Sequence, residues 1–324
     1  MRAIVTDGFG GPEVLQLAEV PDPVAGPGEV VIAVLASGVN RADLLQRQGH
    51  YPPPDGASDI IGLEVAGHIH SIGSGVEGWQ VGEPCVALLA GGGYAELVAV
   101  PAGQVVRPPE GVDLVTAAGM IEVAATVASN LTRVALAPGE TFLVHGGTGG
   151  IGTFAIQYAA ALGARVFATA GTADKLALCR DLGAEAAFDY HDDWLGALLG
   201  ATAARGADVI LDVMGAAYLD SNIDALADDG RLVVIGLQGG RKGTLDLSKL
   251  LAKRGLVTAT SLRGRPLEQK AAICVEVQRT VWPMFAAGRI KPAWEKRFPA
   301  GSVRAAHEHL ASGDAVGKLV LTWS

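Results

Sequence analysis

Cysteine is scarce in this chain. Cys85, Cys179 and Cys274 are three in 324 residues, odd in number and far apart, which excludes a disulfide framework and any Cys-x-x-Cys metal clip. Charge is also low: 18% of residues are charged, acids outnumber bases to give a formal net charge of −9, and no basic stripe is present. That balance argues against nucleic acid as a main partner, because nonspecific binding to a phosphate backbone rests on clustered Lys and Arg. No uninterrupted apolar stretch reaches the length of a membrane helix. The opening Met1 to Asp7 reads as a strand rather than an apolar signal region. These absences predict a cytoplasmic protein with no membrane contact. What is present is a globular composition, 49% hydrophobic, in a chain long enough for two domains.

The most informative stretch runs from Thr141 to Gly152. A short apolar run, Phe142 to Val144, breaks into glycines and then into the apolar-periodic segment Ile151, Phe154, Ala155, Tyr158, Leu162, which reads as strand, tight turn and helix. Gly147, Gly149 and Gly152 fit the dinucleotide fingerprint GxGxxG. Glycine there permits the turn, lets the backbone around Gly150 and Ile151 approach a pyrophosphate, and seats the helix close to the strand. The second strand, Arg165 to Thr169, selects the cofactor. An NAD site usually carries an acid about 20 residues after the first glycine, but this chain has Ala168, Thr169, Ala170, Gly171 and Thr172. Lys175 follows one turn later, and Tyr190 ends the third strand at the same sheet edge. An uncharged pocket beside a lysine suits a 2′-phosphate, so the expected cofactor is NADPH rather than NADH.

Two patterns of punctuation divide the chain. Up to about Ile121, Gly and Pro are dense and apolar runs are short: Val30 to Leu35, Val65 to Ile72, Cys85 to Leu89 and Tyr94 to Val100 read as strands of a small barrel. One helix, Arg41 to Gln48, interrupts them, capped by Asn40. From Glu122 onward, helical patterns alternate with the strands Phe142 to Val144, Arg165 to Thr169, Ala187 to Asp189, Val209 to Val213, Arg231 to Ile235 and Leu256 to Thr260. That alternation predicts a doubly wound parallel sheet. The tail reads as a long helix around Glu268 to Ala287, an amphipathic segment Val303 to Ala311 and a last strand Lys318 to Thr322 placed back on the first domain.

This order of elements, together with Ser37 to Leu45 and Gly62 to Gly67, resembles the medium-chain dehydrogenase/reductase superfamily. Within it the chain is similar to the zinc-free quinone oxidoreductases. Arg47 to Pro54, Gly91 to Gly93 and Ser261 to Arg265 match the branch of the p53-inducible quinone oxidoreductase best. The resemblance implies an α/β architecture: a GroES-like β-rich catalytic domain over 1–121 and 266–324, and a Rossmann NADPH-binding domain over 122–265. It implies an active site in the cleft between them and a homodimer joined through the sixth Rossmann strand. Where the superfamily's zinc enzymes place a cysteine and a histidine, this chain has Asn40 and Leu63, which cannot hold zinc. His68 and His70 share a strand face and His307 and His309 diverge on a helix, so all four read as structural.

By the same resemblance Tyr51, Asn40 and Asp43 carry the catalytic position. The Tyr51 ring would stack on a planar quinone and its hydroxyl would bond the reduced oxygen. Asn40 is accounted for equally by contact with nicotinamide or substrate and by helix capping, and Glu64 reads as a paired internal charge. Thr126 resembles a cofactor-binding threonine. Gly236, Leu237 and Ser261 at strand ends would fix the carboxamide, and Val213 and Met214 would flank the adenosine. The expected activity is metal-free reduction of a quinone by NADPH, by hydride or sequential electron transfer. An enone or enoyl-thioester reductase is the alternative, and a crystallin-like or RNA-binding protein ranks below it.

Overall fold

In the computed structural model, which describes residues 1–293 and 295–323, the β-branched run Glu29–Val39 forms an eleven-residue strand. The first part of the chain contains β1 (Arg2–Thr6), β2 (Leu15–Glu19), β3 (Glu29–Val39), α1 (Arg41–Arg47), β4 (Glu64–Ile72), β5 (Pro84–Leu88), β6 (Leu97–Pro101) and β7 (Val105–Val106). Two helices follow, α2 (Leu114–Ala117) and α3 (Ile121–Arg133). Strands and helices then alternate through β8 (Thr141–Val144), α4 (Gly150–Ala161), β9 (Arg165–Ala170), α5 (Ala173–Asp181), β10 (Ala186–Asp189) and α6 (Trp194–Ala201). The alternation ends with β11 (Ala207–Asp212), α7 (Leu219–Ala225), β12 (Leu226–Val234), α8 (Leu247–Ala252) and β13 (Leu256–Ala259). The tail holds α9 (Leu267–Glu276), α10 (Trp282–Ala286), β14 (Glu295–Pro299), α11 (Val303–Ala311) and β15 (Lys318–Thr322). Two units result: Met1–Ala125 with Leu262–Gly288 and Pro292–Ser324, and Thr126–Ser261 with Arg289–Lys291.

The first unit is built on a seven-stranded sheet in the order β14-β15-β3-β4-β5-β7, with β6 also on β3. Bulges near Val31 and Val34 interrupt the register of β3 with β4 and bend the strand. One stretch of β3, Glu29 to Ala33, pairs with β6, and the next, Ala36 to Val39, pairs with β15. The expected small barrel is not closed among the described residues, because the pairing path ends at β14 on one side and at β7, two residues long, on the other. The strand expected at Tyr94 starts only at Leu97. Tyr94 and Ala95 are engaged elsewhere, in the pairs Ile4 N to Tyr94 O and Tyr94 N to Ile61 O (2.8 Å each) and in a bridge from Ala95 to Ala3.

The tail helix is broken as well: a π-helical turn, Val277–Val281, separates α9 from α10. The Thr280 hydroxyl bonds the Glu276 carbonyl (2.8 Å), and Pro283 at the start of α10 cannot donate to the helical ladder.

The second unit is a six-stranded parallel sheet in the order β10-β9-β8-β11-β12-β13. The chain leaves β8 toward one side and returns at β11 on the other, which makes the carboxyl end of β8 a topological switch point. Leu143, Phe167, Ile210 and Leu232 come from four neighbouring strands, stand in register, and are wholly buried in its core. No helix among the described residues is long and apolar enough to cross a membrane.

Candidate active site

The glycine turn of the second unit joins β8 to α4. Gly146 takes φ +71°, a left-handed conformation that glycine adopts without strain. A Cβ on Gly152 would run into the backbone of Gly146 and Gly147, so only glycine lets the first turn of α4 lie this close to the strand end. Gly147 donates to Thr169 O (2.8 Å) and packs on Cys179 and Ala168. The N-cap, Gly149, has no side chain to bond the first amides of α4. The N–H groups of Gly150, Ile151 and Gly152 are therefore turned toward any anion that the positive helix end attracts.

Beneath the turn lies a residue the sequence reading passed over. His145 is buried, and burial pushes it down to about 4. As a neutral ring it donates from Nε2 to Asn222 Oδ1 (2.7 Å) and accepts at Nδ1 from the Thr169 hydroxyl (3.0 Å). Thr169 Oγ1 in turn accepts from Gly146 N (3.4 Å), so the histidine braces the turn from below. A lone histidine ahead of the glycines was the only signal for it.

The parallel order places the other expected cofactor residues at carboxyl ends of neighbouring strands. After β9 comes Gly171, with the Tyr190 hydroxyl lying over it and Lys175 half-buried in the helix that Thr172 caps. No carboxylate stands between Ala170 and Thr172. Beyond β11, Asp212 accepts from Met214 N (2.7 Å) and Gly215 N (2.9 Å), a turn device also missed, whose signal was an Asp two residues ahead of Met214-Gly215. This loop knits to the one after β12: Gly236 packs on Val213, Gln238 N bonds Val213 O (3.1 Å) and Gly239 N bonds Met214 O (2.7 Å). Leu237 and Ser261 are exposed at the same ends, and Thr126 is buried in α3 with its carbonyl accepting from Asn130 (2.7 Å).

In the first unit the two expected polar residues prove to be internal. Asn40 N-caps α1, yet its amide serves another purpose: Nδ2 donates to Glu64 Oε1 (3.0 Å) and Oδ1 accepts from Lys318 Nζ (2.6 Å). Glu64 is wholly buried, paired with Lys318 at 2.6 Å and accepting from Glu122 N (3.0 Å). The paired internal charge holds, with a partner that lies far off in sequence. Asp43, expected to be catalytic, has no exposed surface and cannot touch a substrate in this conformation. Its Oδ2 accepts from Asn40 N (2.7 Å) and from the Tyr94 hydroxyl (3.0 Å). Burial pushes Asp43 up to about 7. His307 completes the cluster between Tyr94 (3.2 Å) and Arg47 (3.4 Å), held by burial at about 3. Arg47 only donates, so His307 accepts at Nδ1 and donates from Nε2 to Tyr94. His68 and His70 are exposed on one face of β4, and among the described residues no three His, Cys, Asp or Glu are grouped to hold a metal.

Tyr51 is half-buried in the loop after α1, with the Arg263 guanidinium 5.2 Å from its ring centroid. It is the expected catalytic side chain with surface to offer a ligand.

A doubly wound sheet with a bare glycine turn at its switch point defines a dinucleotide-binding oxidoreductase fold. Residues 26–110 match the alcohol dehydrogenase GroES-like domain and residues 150–275 the zinc-binding dehydrogenase domain. The chain is 31% identical over 317 residues to the quinone oxidoreductase of Pseudomonas aeruginosa, covering 97% of each. It belongs to the quinone oxidoreductase family of the medium-chain dehydrogenase/reductase superfamily. Escherichia coli quinone oxidoreductase, crystallised with NADPH, superposes with a TM-score of 0.91 at 29% identity over the whole of both chains. CurK enoyl reductase superposes with a TM-score of 0.88 at 25% identity, covering 99% of this chain and 98% of that one. The chain is also 32% identical over 323 residues to the phthioceranic/hydroxyphthioceranic acid synthase of Mycobacterium tuberculosis, of whose length it spans 15%.

Proposed function

We propose that this protein is an NADPH-dependent quinone reductase that works without a metal ion. The observation that carries the cofactor is the glycine turn itself: the uncapped N-terminus of α4 opens beside a β9 end that bears no carboxylate and is followed by Lys175. The amides of Gly150, Ile151 and Gly152 would hold the pyrophosphate. Lys175 and Tyr190 would flank the 2′-phosphate above Gly171. When bound, NADPH supplies a hydride. Val213 and Met214 would border the adenosine, and Gly236, Leu237, Ser261 and Thr126 would fix the remaining parts of the cofactor.

Tyr51 stacks on the acceptor ring and donates a hydrogen bond to the oxygen that gains charge, which lowers the barrier by placing a proton where charge develops. Asn40 and Asp43 act at one remove, fixing the start of α1 that precedes Tyr51. A metal has no seat at the superfamily's zinc positions: the Asn40 amide is engaged by Glu64 and Lys318, and Leu63 is a buried hydrocarbon.

An enoyl-thioester reductase is the second reading, favoured by the full-length likeness to CurK enoyl reductase. Chelator-treated protein is mixed with NADPH and either an ortho-quinone or crotonyl-CoA, and the absorbance of the reduced nicotinamide is followed. Rapid oxidation with the quinone alone is expected; oxidation with the thioester alone establishes the second reading. Assembly as a homodimer is part of the proposal. The outer edge of β13 is the end of the sheet, and Leu256, Leu247 and Leu251 beside it are 51%, 69% and 78% exposed. Light scattering should then give the mass of two 33.1 kDa chains.

A further inference from the structure

Arg263 is 5% exposed and stands in the first unit, where it reaches three separate segments. Its Nε donates to Ala90 O (2.7 Å), Nη1 to Tyr51 O (3.1 Å) and Nη2 to Gln46 Oε1 (2.7 Å). The same guanidinium lies over the Tyr51 ring, 5.2 Å from its centroid. Gln46 is buried too, and passes the link on from Nε2 to Asp59 O (2.9 Å). The acceptors of this fork are two carbonyls and an amide, none of them a carboxylate. Behind it stands a second buried cation, Lys270, whose Nζ donates to Arg263 O (3.4 Å).

Burying a guanidinium with no carboxylate in hydrogen-bond contact is costly. Packing alone does not call for it, since an apolar side chain of similar volume would fill the space. What Arg263 provides that no apolar residue can is a planar fork that fixes the backbone and the ring of one tyrosine at once.

We propose that Arg263 is the positioning residue for Tyr51: its three-point anchorage to Tyr51, Gln46 and Ala90 holds the Tyr51 hydroxyl in the orientation that serves the acceptor. The inference rests on the role given to Tyr51 above. Because Tyr51 and Arg263 are 212 residues apart, the loop after α1 depends on a segment that follows the second unit.

The test is a double-substitution cycle. Arg263→Lys keeps the charge and loses the fork. It is expected to lower kcat with an ortho-quinone about tenfold while the KM for NADPH stays within about twofold. In a Tyr51→Phe background the same change should cost clearly less, about threefold or under, because only the stacking ring and no hydroxyl is left to misplace. An equal loss in both backgrounds overturns the proposal. If Tyr51→Phe alone leaves kcat unchanged, the role of Tyr51 is what fails, and the positioning proposal falls with it.

A readout independent of turnover is the 19F spectrum of fluorotyrosine-labelled protein, in which Tyr51→Phe assigns one of five signals. Arg263→Lys should shift that signal and leave the other four in place; an unmoved signal overturns the proposal. Should Arg263→Lys fail to fold, Gln46→Met removes one anchor only. It is expected to shift the Tyr51 signal in the same sense by a smaller amount, and no shift there is equally decisive against the proposal.

Discussion

Lys318 shows what a single residue can decide. Its Nζ donates to Glu64 Oε1 (2.6 Å), Asn40 Oδ1 (2.6 Å) and Val39 O (3.3 Å) and so uses all three of its protons inside the protein. Removing one member of such a buried pair leaves a bare charge, which costs more than the pair contributed. Lys318→Met should lower the unfolding free energy by about 3–5 kcal/mol, and adding Glu64→Gln should recover much of it, as read from denaturant unfolding. Equal destabilisation in the single and double variants would show that the two charges do not depend on each other. At this scale the sequence reading identified Glu64 as an internal charge and Asn40 as a cap. It could not see that Asn40 spends its amide on Lys318, nor that Asp43 is sealed in by Tyr94 and His307, because both facts arise where distant strands and helices meet.

Among the elements, β8, its glycine turn and α4 were the most legible. They are contiguous in the chain, and their geometry follows from local sterics: a left-handed Gly146, a close approach at Gly152 and an apolar period of 3.6. Gly152→Ala tests that reading. Alanine favours a helix by up to about 1 kcal/mol over glycine, yet here its Cβ meets backbone that has nowhere to go. NADPH affinity, followed by fluorescence titration, should fall at least about tenfold; unchanged affinity would remove the turn from the binding site. Elements whose form depends on neighbours were read less well. The helix expected to run unbroken from Glu268 to Ala287 is split by a π turn, and the strand expected at Tyr94 is delayed by pairing with Ile4 and Ile61.

For the molecule as a whole, buried His145, His307 and Asp43 contribute to the pH dependence, beside Asp212, whose carboxyl burial also shifts up. Unfolded histidine titrates near about 6.5 and aspartate near about 3.9. His145 is held neutral down to about 4 and His307 down to about 3, so below pH 6.5 the unfolded chain takes up protons that the folded one refuses. Stability from these two is present above 6.5 and is lost as pH falls toward those values. Asp43, raised to about 7, acts in the opposite sense. It binds a proton in the folded state that the unfolded chain releases, so its contribution is full at low pH and is lost as pH rises toward 7. For these three groups, two protons taken up against one released leave about one net proton on unfolding between about pH 6.5 and 4. That is a loss of about 1.4 kcal/mol per pH unit on acidification. His307→Gln should leave His145 and Asp43 in balance and flatten the profile, as measured by thermal melting at pH 6 and pH 5; the same slope in both proteins would exclude His307 as a source.

By itself the sequence determined the two-part α/β plan, the strands of the parallel sheet to within about two residues except β12, which begins at Leu226 rather than the expected Arg231, and the glycine turn at its switch point. Each is written in contiguous stretches where hydrophobic period, β-branching and glycine act locally. Only the tertiary structure decided which polar residues are spent inside the fold. Lys318 reaches Glu64 across 254 positions, His307 reaches Tyr94 across 213 and Arg263 reaches Tyr51 across 212. A buried charge takes its partner from whatever the packing brings beside it, and no periodicity along the chain records that choice.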